Sequence, residues 1–346
     1  MKKGVLLVNL GTPDSPSVPD VRKYLDQFLM DPRVIDIKTI PRNFLVRGAI
    51  IPFRAPESAK IYKKVWTDEG SPLLIYGERT QAMLQEKLGD DYVVELAMRY
   101  QSPSIETGLN NLRSQHVSSI QVIPLFPQYA SASTGSVHQK IMEIVSKWLI
   151  IPQISFINSF HDHPKMIKIF ADNGRKHGLD TFDHFIFSFH GLPQRQMIKA
   201  DITGQCCLKT KDCCSKITAV NQHCYVAQCH DTARLLAKEL DLSEEQYTVS
   251  FQSRLGKEPW VEPFTSNIIN KLALEGKKRL LVFCPAFVAD CLETIYEISE
   301  EYHEEFVEAG GELVQLVESL NDNPEWIEIL EEFVLAETRS ASVLNA

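Results

Sequence analysis

The sequence lacks any run of about 18 consecutive apolar residues, the length that a membrane-spanning helix needs. It also lacks the pattern of a signal peptide, because the first apolar run, residues 5–8, is too short for one. An excess of positive charge is missing as well: the formal net charge is -9, which excludes a general nucleic-acid-binding role. These absences predict a cytoplasmic protein with no nucleic-acid partner.

Two phosphate-binding motifs of α/β proteins are also missing. No G-x-G-x-x-G follows a predicted strand, since the first strand runs into NLGTP at residues 9–13, and no G-x-x-x-x-G-K-S/T occurs. The chain therefore lacks the phosphate-binding loops that classical dinucleotide-binding proteins and P-loop NTPases use.

What the sequence contains is a regular alternation of strand-like and helix-like segments. With 346 residues, 44% of them hydrophobic, the chain can form two domains of ordinary size. The alternation predicts α/β domains with parallel sheets covered on both faces, in two similar runs that divide near residues 160–165. The predicted strands are residues 4–9, 92–98, 119–124, 153–157, 184–188, 248–252, 279–284 and 312–316.

Two of these strands lead into residues that carry chemistry. SFHGLP at 188–193 ends one strand, and CPAFVADCLET at 284–294 follows another. Open α/β sheets place ligand chemistry at the carboxyl ends of their strands. His190 lies in a turn with Gly and Pro, which would present it to a cleft as a proton acceptor or metal ligand. The alternative is a histidine satisfied within the core.

The segment 288–311 is strongly acidic, with eight acids and no Lys or Arg. A spacing of three or four residues puts five glutamates on one helical face, where like charges destabilise a helix. Oxygen donors suit a divalent metal that binds and leaves, so we interpret the segment as a path for cations or protons. The alternative is a solvated helix face, which would normally carry compensating lysines. The residues of this path are Asp290, Glu293, Glu297, Glu300, Glu304 and Glu308.

Six of the eight cysteines lie within residues 206–229. In a protein without a secretory signal, this density indicates a metal or cluster site instead of a disulfide framework. Four thiolates suit either tetrahedral zinc or a 2Fe–2S cluster. The spacing alone leaves open which four residues act as ligands, because two pairs are adjacent in sequence.

A third group of residues lies at 44–64, where an apolar stretch precedes Arg54, Tyr62 and several lysines. An exposed apolar lip next to Arg would suit a flat hydrophobic ligand that carries carboxylates, since Arg pairs with carboxylates in a bidentate manner. The alternative is an ordinary pair of amphipathic helices.

Together these motifs resemble the ferrochelatase family. The resemblance covers nearly the whole chain, and SFHGLP combined with DCLET is highly specific to the family. It implies an enzyme of the lyase class, a protoporphyrin ferrochelatase that inserts Fe²⁺ into protoporphyrin IX and releases two protons, in the last step of haem biosynthesis. The shared stretches are LLVNLGTP at 6–13, GSPL at 70–73, MRY at 98–100, PLFPQY at 124–129, STGS at 133–136, SFHGLP at 188–193, FQSRLG at 251–256, PW at 259–260 and DCLET at 290–294.

The resemblance also implies the architecture: two Rossmann-like domains with a porphyrin cleft between them. The first would span residues 1–162 and carry the porphyrin-lip segment 40–66. The second would span 163–318, with His190, the cysteine segment 206–229 and the acidic helix 290–308. A C-terminal helix within 319–346 would return to the first domain.

By resemblance, His190 is the invariant active-site histidine and Glu293 its carboxylate partner across the macrocycle. The same two residues are implied as ligands of the Fe²⁺ substrate. One departure is Glu57, where many relatives have a basic residue, which puts propionate pairing there in doubt. The residues that match porphyrin-binding or cleft-lining positions are Arg54, Tyr62, Ser71, Arg99 and Tyr100.

Some family members hold a 2Fe–2S cluster, in certain bacteria through an internal cysteine segment like the one in this chain. The resemblance gives the cluster as a cofactor. The ligand set that we expect is Cys207, Cys214, Cys224 and Cys229, with Cys213 as a substitute for Cys214.

The expected partners are protoporphyrin IX and Fe²⁺. Because haem is nearly insoluble, residues 44–53 would make a weak contact with a membrane surface or a haem acceptor, which would place the protein at the inner membrane face. One alternative is a chelatase for another tetrapyrrole such as coproporphyrin III. A second is a tetrapyrrole carrier or iron sensor that binds without turnover.

Overall fold

The computed structural model describes residues 2–210, 212–254, 256 and 258–343. The chain divides into two compact units: Met1–Leu125 with Ser131–Asn158 and Asn321–Ala346, and Phe126–Ala130 with Ser159–Leu320. Residues 1 and 344–346, at the ends of the predicted domains, lie outside the described residues, as do residue 211 of the cysteine segment and residue 255 of FQSRLG.

The first unit contains a parallel sheet of β1 (Lys3–Gly11), β2 (Tyr92–Tyr100), β3 (Ser119–Pro124) and β4 (Gln153–Phe156), in the order β2-β1-β3-β4. The run from Val5 to Val8 is buried on both faces of the sheet, which is why it reads as continuously apolar. β1 is therefore an interior strand.

Helices on the first unit fill the connections between these strands. The segment predicted as the porphyrin lip is helical, with a π-helical part at Phe44–Ile50 that continues into α3. The helices are α1 (Val18–Leu29), α2 (Thr39–Asn43), α3 (Ile51–Val65), α4 (Pro72–Leu88), α5 (Ile105–Ser114) and α6 (Ser136–Val145).

The second unit repeats this strand order. Its parallel sheet consists of β5 (His184–His190), β6 (Tyr247–Gln252), β7 (Arg279–Phe283) and β8 (Leu313–Leu316), in the order β6-β5-β7-β8. β5 is buried over its whole length except at its last residue, His190, which is half-buried. His190, at the carboxyl end, is therefore the one residue of this strand that is partly exposed.

The helices of the second unit are α7 (Pro164–Arg175), α8 (Gln194–Ala200), α9 (Tyr225–Glu239), α10 (Thr265–Leu274), α11 (Leu292–Ile295) and α12 (His303–Glu308). The sequence predicts one uninterrupted helix over 292–309, but the structure has a π-helical turn, Glu297–Tyr302, between α11 and α12. There the carbonyl of Tyr296 accepts from the N–H of Glu301, five residues on.

The last helix, α13 (Pro324–Val343), belongs to the first unit. Trp326, Ile329 and Leu330 bury its apolar side. The Gln121 amide of β3 donates to the Phe333 carbonyl at 2.9 Å. These contacts attach the C-terminal helix to the first sheet.

The predicted fold class is confirmed, because both sheets are parallel and alternate with helices. Each predicted strand is present among the described residues, with ends that differ by at most two residues. The sequence assigns residues 126–130 to the first domain, but the structure places them in the second unit, where the Pro127 carbonyl accepts from Phe160 and the Gln128 amide donates to Thr232.

Candidate active site

His190 lies at the carboxyl edge of the second sheet. The peptide that follows it is held at both ends: its carbonyl accepts from the Tyr225 hydroxyl at 2.8 Å, and its N–H, from Gly191, donates to the Gln252 carbonyl at 2.8 Å. The imidazole stands nearly perpendicular to the Phe287 ring, with 6.3 Å between ring centroids. The backbone thus fixes the point from which the imidazole projects.

Gly191 is required by its surroundings. A Cβ at this position would lie 2.8 Å from the Gln252 carbonyl oxygen and 3.3 Å from the Trp260 ring. Because the closer atom belongs to the backbone of β6, a side chain here would displace the turn.

Glu293 lies in the first turn of α11, directly after the loop that leaves β7. Cys291 caps this short helix, with its N–H donating to the Thr294 hydroxyl at 3.0 Å. The Glu293 carbonyl accepts from the side-chain amide of Gln252 at 2.8 Å. His190 and Glu293 are therefore attached to the same residue, at the end of the strand next to β5.

The orientation of the Gln252 amide follows from a buried polar layer beneath it. Its Oε1 accepts from the Ser188 hydroxyl at 2.7 Å and from the Cys284 thiol at 3.6 Å. This leaves Nε2 to donate to the Glu293 carbonyl and, at 3.1 Å, to the Glu297 carboxylate. Gln252 belongs to the FQSRLG stretch, but no role was predicted for it. The signal available in the sequence was a polar residue at the end of a buried strand.

Glu297 is bound on all sides by donors from the second unit. Its carboxylate accepts from the Ser253 N–H and the Tyr302 hydroxyl, both at 2.8 Å, in addition to the Ser253 hydroxyl and the Gln252 amide. Burial and the Glu297 charge raise the pKa of Tyr302 well above its usual value, so this hydroxyl stays a donor. Glu297 is thus a fixed anion at the edge of the sheet.

The other acids of the predicted path have different surroundings. Asp290 is buried and accepts from the Thr294 and Ser319 hydroxyls, each at 3.0 Å. Glu300 is half-buried and Glu304 is exposed. The π-helical turn interrupts the α-helical spacing on which the prediction of a single face relied. The acids therefore divide into an inner group, held by hydrogen bonds, and an outer group near the surface.

The cysteine segment forms an organised loop before α9. The Asp201 carboxylate accepts from the N–H groups of Cys206 and Cys207, both at 2.8 Å. The Asn221 amide donates to the Cys213 carbonyl at 3.1 Å. These polar side chains turn the loop so that the cysteines approach each other.

The sulfur atoms of three cysteines are near neighbours. Cys214 Sγ lies 3.4 Å from Cys213 Sγ and 3.9 Å from Cys224 Sγ. The hydrogen bond from Cys214 lowers the pKa of Cys224, and the N–H groups at the start of α9 act in the same direction. Burial, followed by the nearby thiols of Cys224 and Cys213, raises the pKa of Cys207 to about 11.

Cys229, which was expected among the cluster ligands, lies inside α9 and is fully buried. It hydrogen-bonds to the Tyr225 side chain one helical turn earlier, and burial raises its pKa well above the usual thiol value. The structure therefore brings together Cys213, Cys214 and Cys224, whereas Cys229 contacts Tyr225.

The sequence did not predict a second group of side chains of the types that can bind a metal. Side-chain donor atoms of His161, Asp162 and Asp231 lie within 4.8 Å of one another. Asp231 also pairs with Arg234, at 2.5 Å, and the Thr232 hydroxyl donates to the His161 carbonyl at 2.8 Å. The contacts attach the segment before α7 to α9.

The residues expected to bind porphyrin all lie in the first unit. Arg99 pairs with Asp31 at 2.6 Å and donates to Ser136, and the Tyr100 hydroxyl donates to the same Asp31 carboxylate at 2.9 Å. Burial, followed by the Asp31 charge, raises the pKa of Tyr100. Arg99 and Tyr100 are thus parts of one largely buried polar network.

Three further residues of this set have contrasting exposure. Ser71 is buried and shares a hydrogen bond of 2.9 Å with the Thr12 hydroxyl. Tyr62 packs edge-to-face on Tyr24 and is 9% exposed. Arg54 is exposed on α3.

Large apolar side chains in the same segment of the chain as Arg54 are open to solvent. Phe44 and Phe53 are each 77% exposed, and Ile40 is 72% exposed. Glu57, the residue at which the sequence departs from the family pattern, pairs with Lys60 at 2.8 Å. Among the described residues, no helix combines the length and the apolar character that crossing a bilayer requires.

Comparison with known proteins gives a consistent result. A family model described as Ferrochelatase matches residues 2–338. A ferrochelatase of Legionella pneumophila (strain Lens) is 45% identical over 334 residues, which cover 96% of this chain and 99% of the relative. A ferrochelatase of Coxiella burnetii (strain Dugway 5J108-111) is 44% identical over 328 residues, 94% of this chain and 91% of the relative. Among solved structures, SirB from Bacillus subtilis with Fe³⁺ has a TM-score of 0.51 at 14% identity, covering 96% of this chain and 95% of SirB, and so shares its fold.

Proposed function

This chain belongs to the ferrochelatase family, enzymes that insert metal into a porphyrin, and we propose that its substrates are Fe²⁺ and protoporphyrin IX. The observation that carries the proposal is the attachment of both segments to Gln252, whose backbone carbonyl accepts from the N–H that follows His190 and whose side-chain amide donates to the Glu293 carbonyl. Two strands and a helix terminus thereby hold an imidazole and a carboxylate at one edge of the second sheet.

The reaction needs groups that accept protons. Each of the two pyrrole N–H bonds breaks as an N–Fe bond forms, so two protons leave for every iron that enters. We assign the His190 imidazole as the first proton acceptor, because histidine is the side chain that most often acts as a general base. Glu293 would deliver the metal or export the protons on the other side of the macrocycle. Glu297, already bound by several donors, would hold the start of the acidic segment in place.

The porphyrin would be held through side chains of the first unit. Arg54 is an exposed cation that directly follows Phe53 on α3, and we assign it to a propionate. Tyr62, Ser71, Arg99 and Tyr100 are mostly buried or already paired, so we assign them a supporting role beneath the ligand. The exposed apolar residues would also make the weak contact with a membrane surface or haem acceptor.

The cysteine loop fits a metal cluster. Two thiolates on one tetrahedral metal lie about 3.8 Å apart, given a metal–sulfur distance of about 2.3 Å. The separations of 3.4 and 3.9 Å around Cys214 are close to this value. We propose that Cys207, Cys213, Cys214 and Cys224 hold a 2Fe–2S cluster, with Cys213 in place of Cys229 in the expected set. When bound, such a cluster would supply a redox-sensitive cross-link of the loop.

The test is anaerobic insertion of Fe²⁺ into protoporphyrin IX, followed by the change from the free-base to the haem absorption spectrum. Wild type should convert the porphyrin and His190→Ala should not. His177→Ala is the matched control, because His177 lies in the same unit and pairs with Glu318 away from β5. Turnover by His190→Ala would remove His190 from the base role.

Two other outcomes would redirect the proposal. Faster conversion of coproporphyrin III would assign a different tetrapyrrole to the same site. Tight porphyrin binding by wild type without conversion would favour the carrier, and the role of Glu293 would be withdrawn first.

A further inference from the structure

We propose that Tyr225 is a positioning residue that makes the orientation of His190 depend on the metal-bound state of the cysteine segment. This inference rests on the proposed roles of His190 and of the cluster. It concerns one hydrogen bond, from the Tyr225 hydroxyl to the His190 carbonyl.

The bond acts on a peptide that has little other freedom. The His190 carbonyl and the Gly191 N–H belong to the same peptide plane, and Tyr225 and Gln252 bind its two ends at 2.8 Å each. Removing either contact lets the plane rotate about its neighbouring bonds. Because the imidazole projects from the residue next to this plane, such a rotation would redirect it.

Tyr225 in turn depends on the cysteine segment. It is the first residue of α9 and follows Cys224 directly in the chain. Cys224 N–H donates to the Asn221 carbonyl at 2.8 Å, and Cys224 Sγ lies 3.9 Å from Cys214 Sγ. A metal bound by Cys224 would therefore fix the start of the helix, one residue from the phenol ring.

The rest of α9 is anchored without the metal. The Gln228 side chain accepts from the Tyr129 N–H at 2.7 Å, and the Thr232 hydroxyl donates to the His161 carbonyl at 2.8 Å. Loss of the cluster should accordingly free only the first turn of α9, which contains Tyr225. Cys229 contacts the phenol from within the helix.

The buried location of Tyr225 makes the effect specific. Its side chain is 5% exposed, so the hydroxyl has no ready exchange with bulk water when it leaves the His190 carbonyl. The expected consequence of cluster loss is a lower kcat with an unchanged KM for porphyrin, and a protein that stays folded.

The experiment compares wild type and Tyr225→Phe, each with the cluster and after its removal by oxidation and chelation. The visible spectrum reports the cluster, and hydrogen exchange reports the amides of residues 188–193. In wild type, we expect cluster removal to accelerate exchange there. In Tyr225→Phe, exchange should be fast from the start and should change little on cluster removal, while the cluster spectrum is retained.

Turnover provides the second readout. Loaded Tyr225→Phe should have kcat about tenfold below wild type, as expected for one buried hydrogen bond, with KM unchanged. Tyr247→Phe is the matched control, because this tyrosine lies at the start of β6, opposite Phe185, whereas His190 pairs with the last residue of β6. It should exchange and respond to cluster removal as wild type does.

A further pair of variants keeps the proposal testable if Tyr225→Phe folds poorly. Cys224→Ser, which breaks the tie to the metal, should show the fast exchange of cluster-free wild type. Cys229→Ala, which removes only the supporting thiol, should show a smaller acceleration. The proposal is overturned if cluster removal leaves exchange at 188–193 unchanged in wild type, or if Tyr225→Phe responds to removal as wild type does. The exchange readout needs no turnover, so a failure of the proposed chemistry remains distinguishable from a failure of the coupling.

Discussion

Replacement of Gln252 by glutamate tests whether the side-chain amide of Gln252 positions Glu293 and Glu297. Gln252→Glu keeps the size and shape of the side chain and still accepts from the Ser188 hydroxyl. In wild type, the amide nitrogen lies 2.8 Å from the Glu293 carbonyl and 3.1 Å from the Glu297 carboxylate. In the variant, an oxygen would take its place and face both acceptors. A protonated carboxyl could restore only one of these two bonds.

The structure sets the size of the effect. Gln252 is 1% exposed, so acceptors that lose its N–H groups gain no water in exchange. The Glu293 carbonyl would lose its amide donor, whereas Glu297 keeps its donors from Ser253 and Tyr302. The free energy of unfolding should therefore fall by about 1–3 kcal/mol. The first turn of α11 should shift, and a change of about 1.4 kcal/mol in the activation barrier already lowers turnover tenfold. We therefore expect at least about a tenfold loss of kcat.

The assay measures unfolding by urea and metal insertion on the same protein, at a temperature where the variant is fully folded. Gln121→Glu serves as control, because Gln121 is a buried strand glutamine of the first unit whose amide donates to the Phe333 carbonyl of the same unit. It should lose stability and keep its turnover per folded molecule. Equal turnover in the two variants would refute the idea that Gln252 positions the site.

Three other substitutions test separate parts of the structure. Gly191→Ala should lower kcat at least about tenfold, because its Cβ would meet the Gln252 carbonyl at 2.8 Å; turnover equal to wild type would contradict the fixed turn. Trp326→Ala should reduce the unfolding free energy by about 3–5 kcal/mol in urea titrations, because the indole is 1% exposed, with turnover per folded molecule preserved. Burial lowers the pKa of His184 to about 4, below the unfolded value near 6.5, so the unfolded chain binds the proton more tightly. Stability from this residue is complete above about pH 6.5 and is lost as the pH falls towards 4. Between pH 7.5 and 5, the unfolding free energy of His184→Gln should therefore fall by less than that of wild type. The difference should be about 1–2 kcal/mol after allowance for screening, and identical pH slopes in the two proteins would refute this assignment.

The strands were predictable because their burial on both faces leaves a direct mark in the sequence. Runs such as residues 5–8 and 280–283 are apolar without interruption, and the structure places both in interior strands. His190 and Glu293 could be found as candidates because each follows such a run. Position along the chain was enough to indicate the sheet edge on which each residue would lie.

Contacts between distant segments were not predictable in the same way. Gln252 and Tyr225 bind the backbone of the His190 turn from 62 and 35 positions away, and nothing local distinguishes them from other polar or aromatic core residues. The π-helical turn was also missed, because a period of 3.6 residues was assumed throughout the acidic segment. Cys229 shares its residue type with the cysteines of the loop, and only its place within α9 separates it from them.

The path of the chain through the two units has a consequence for its synthesis. The polypeptide leaves one unit for the other after Leu125, Ala130, Asn158 and Leu320. The first unit obtains the helix that carries Trp326 only when the end of the chain leaves the ribosome, after every residue of the second unit has been made. The usual order, in which the N-terminal part of a protein completes its folding first, is therefore reversed. A chain truncated before residue 321 should contain a finished second unit and an unfinished first unit.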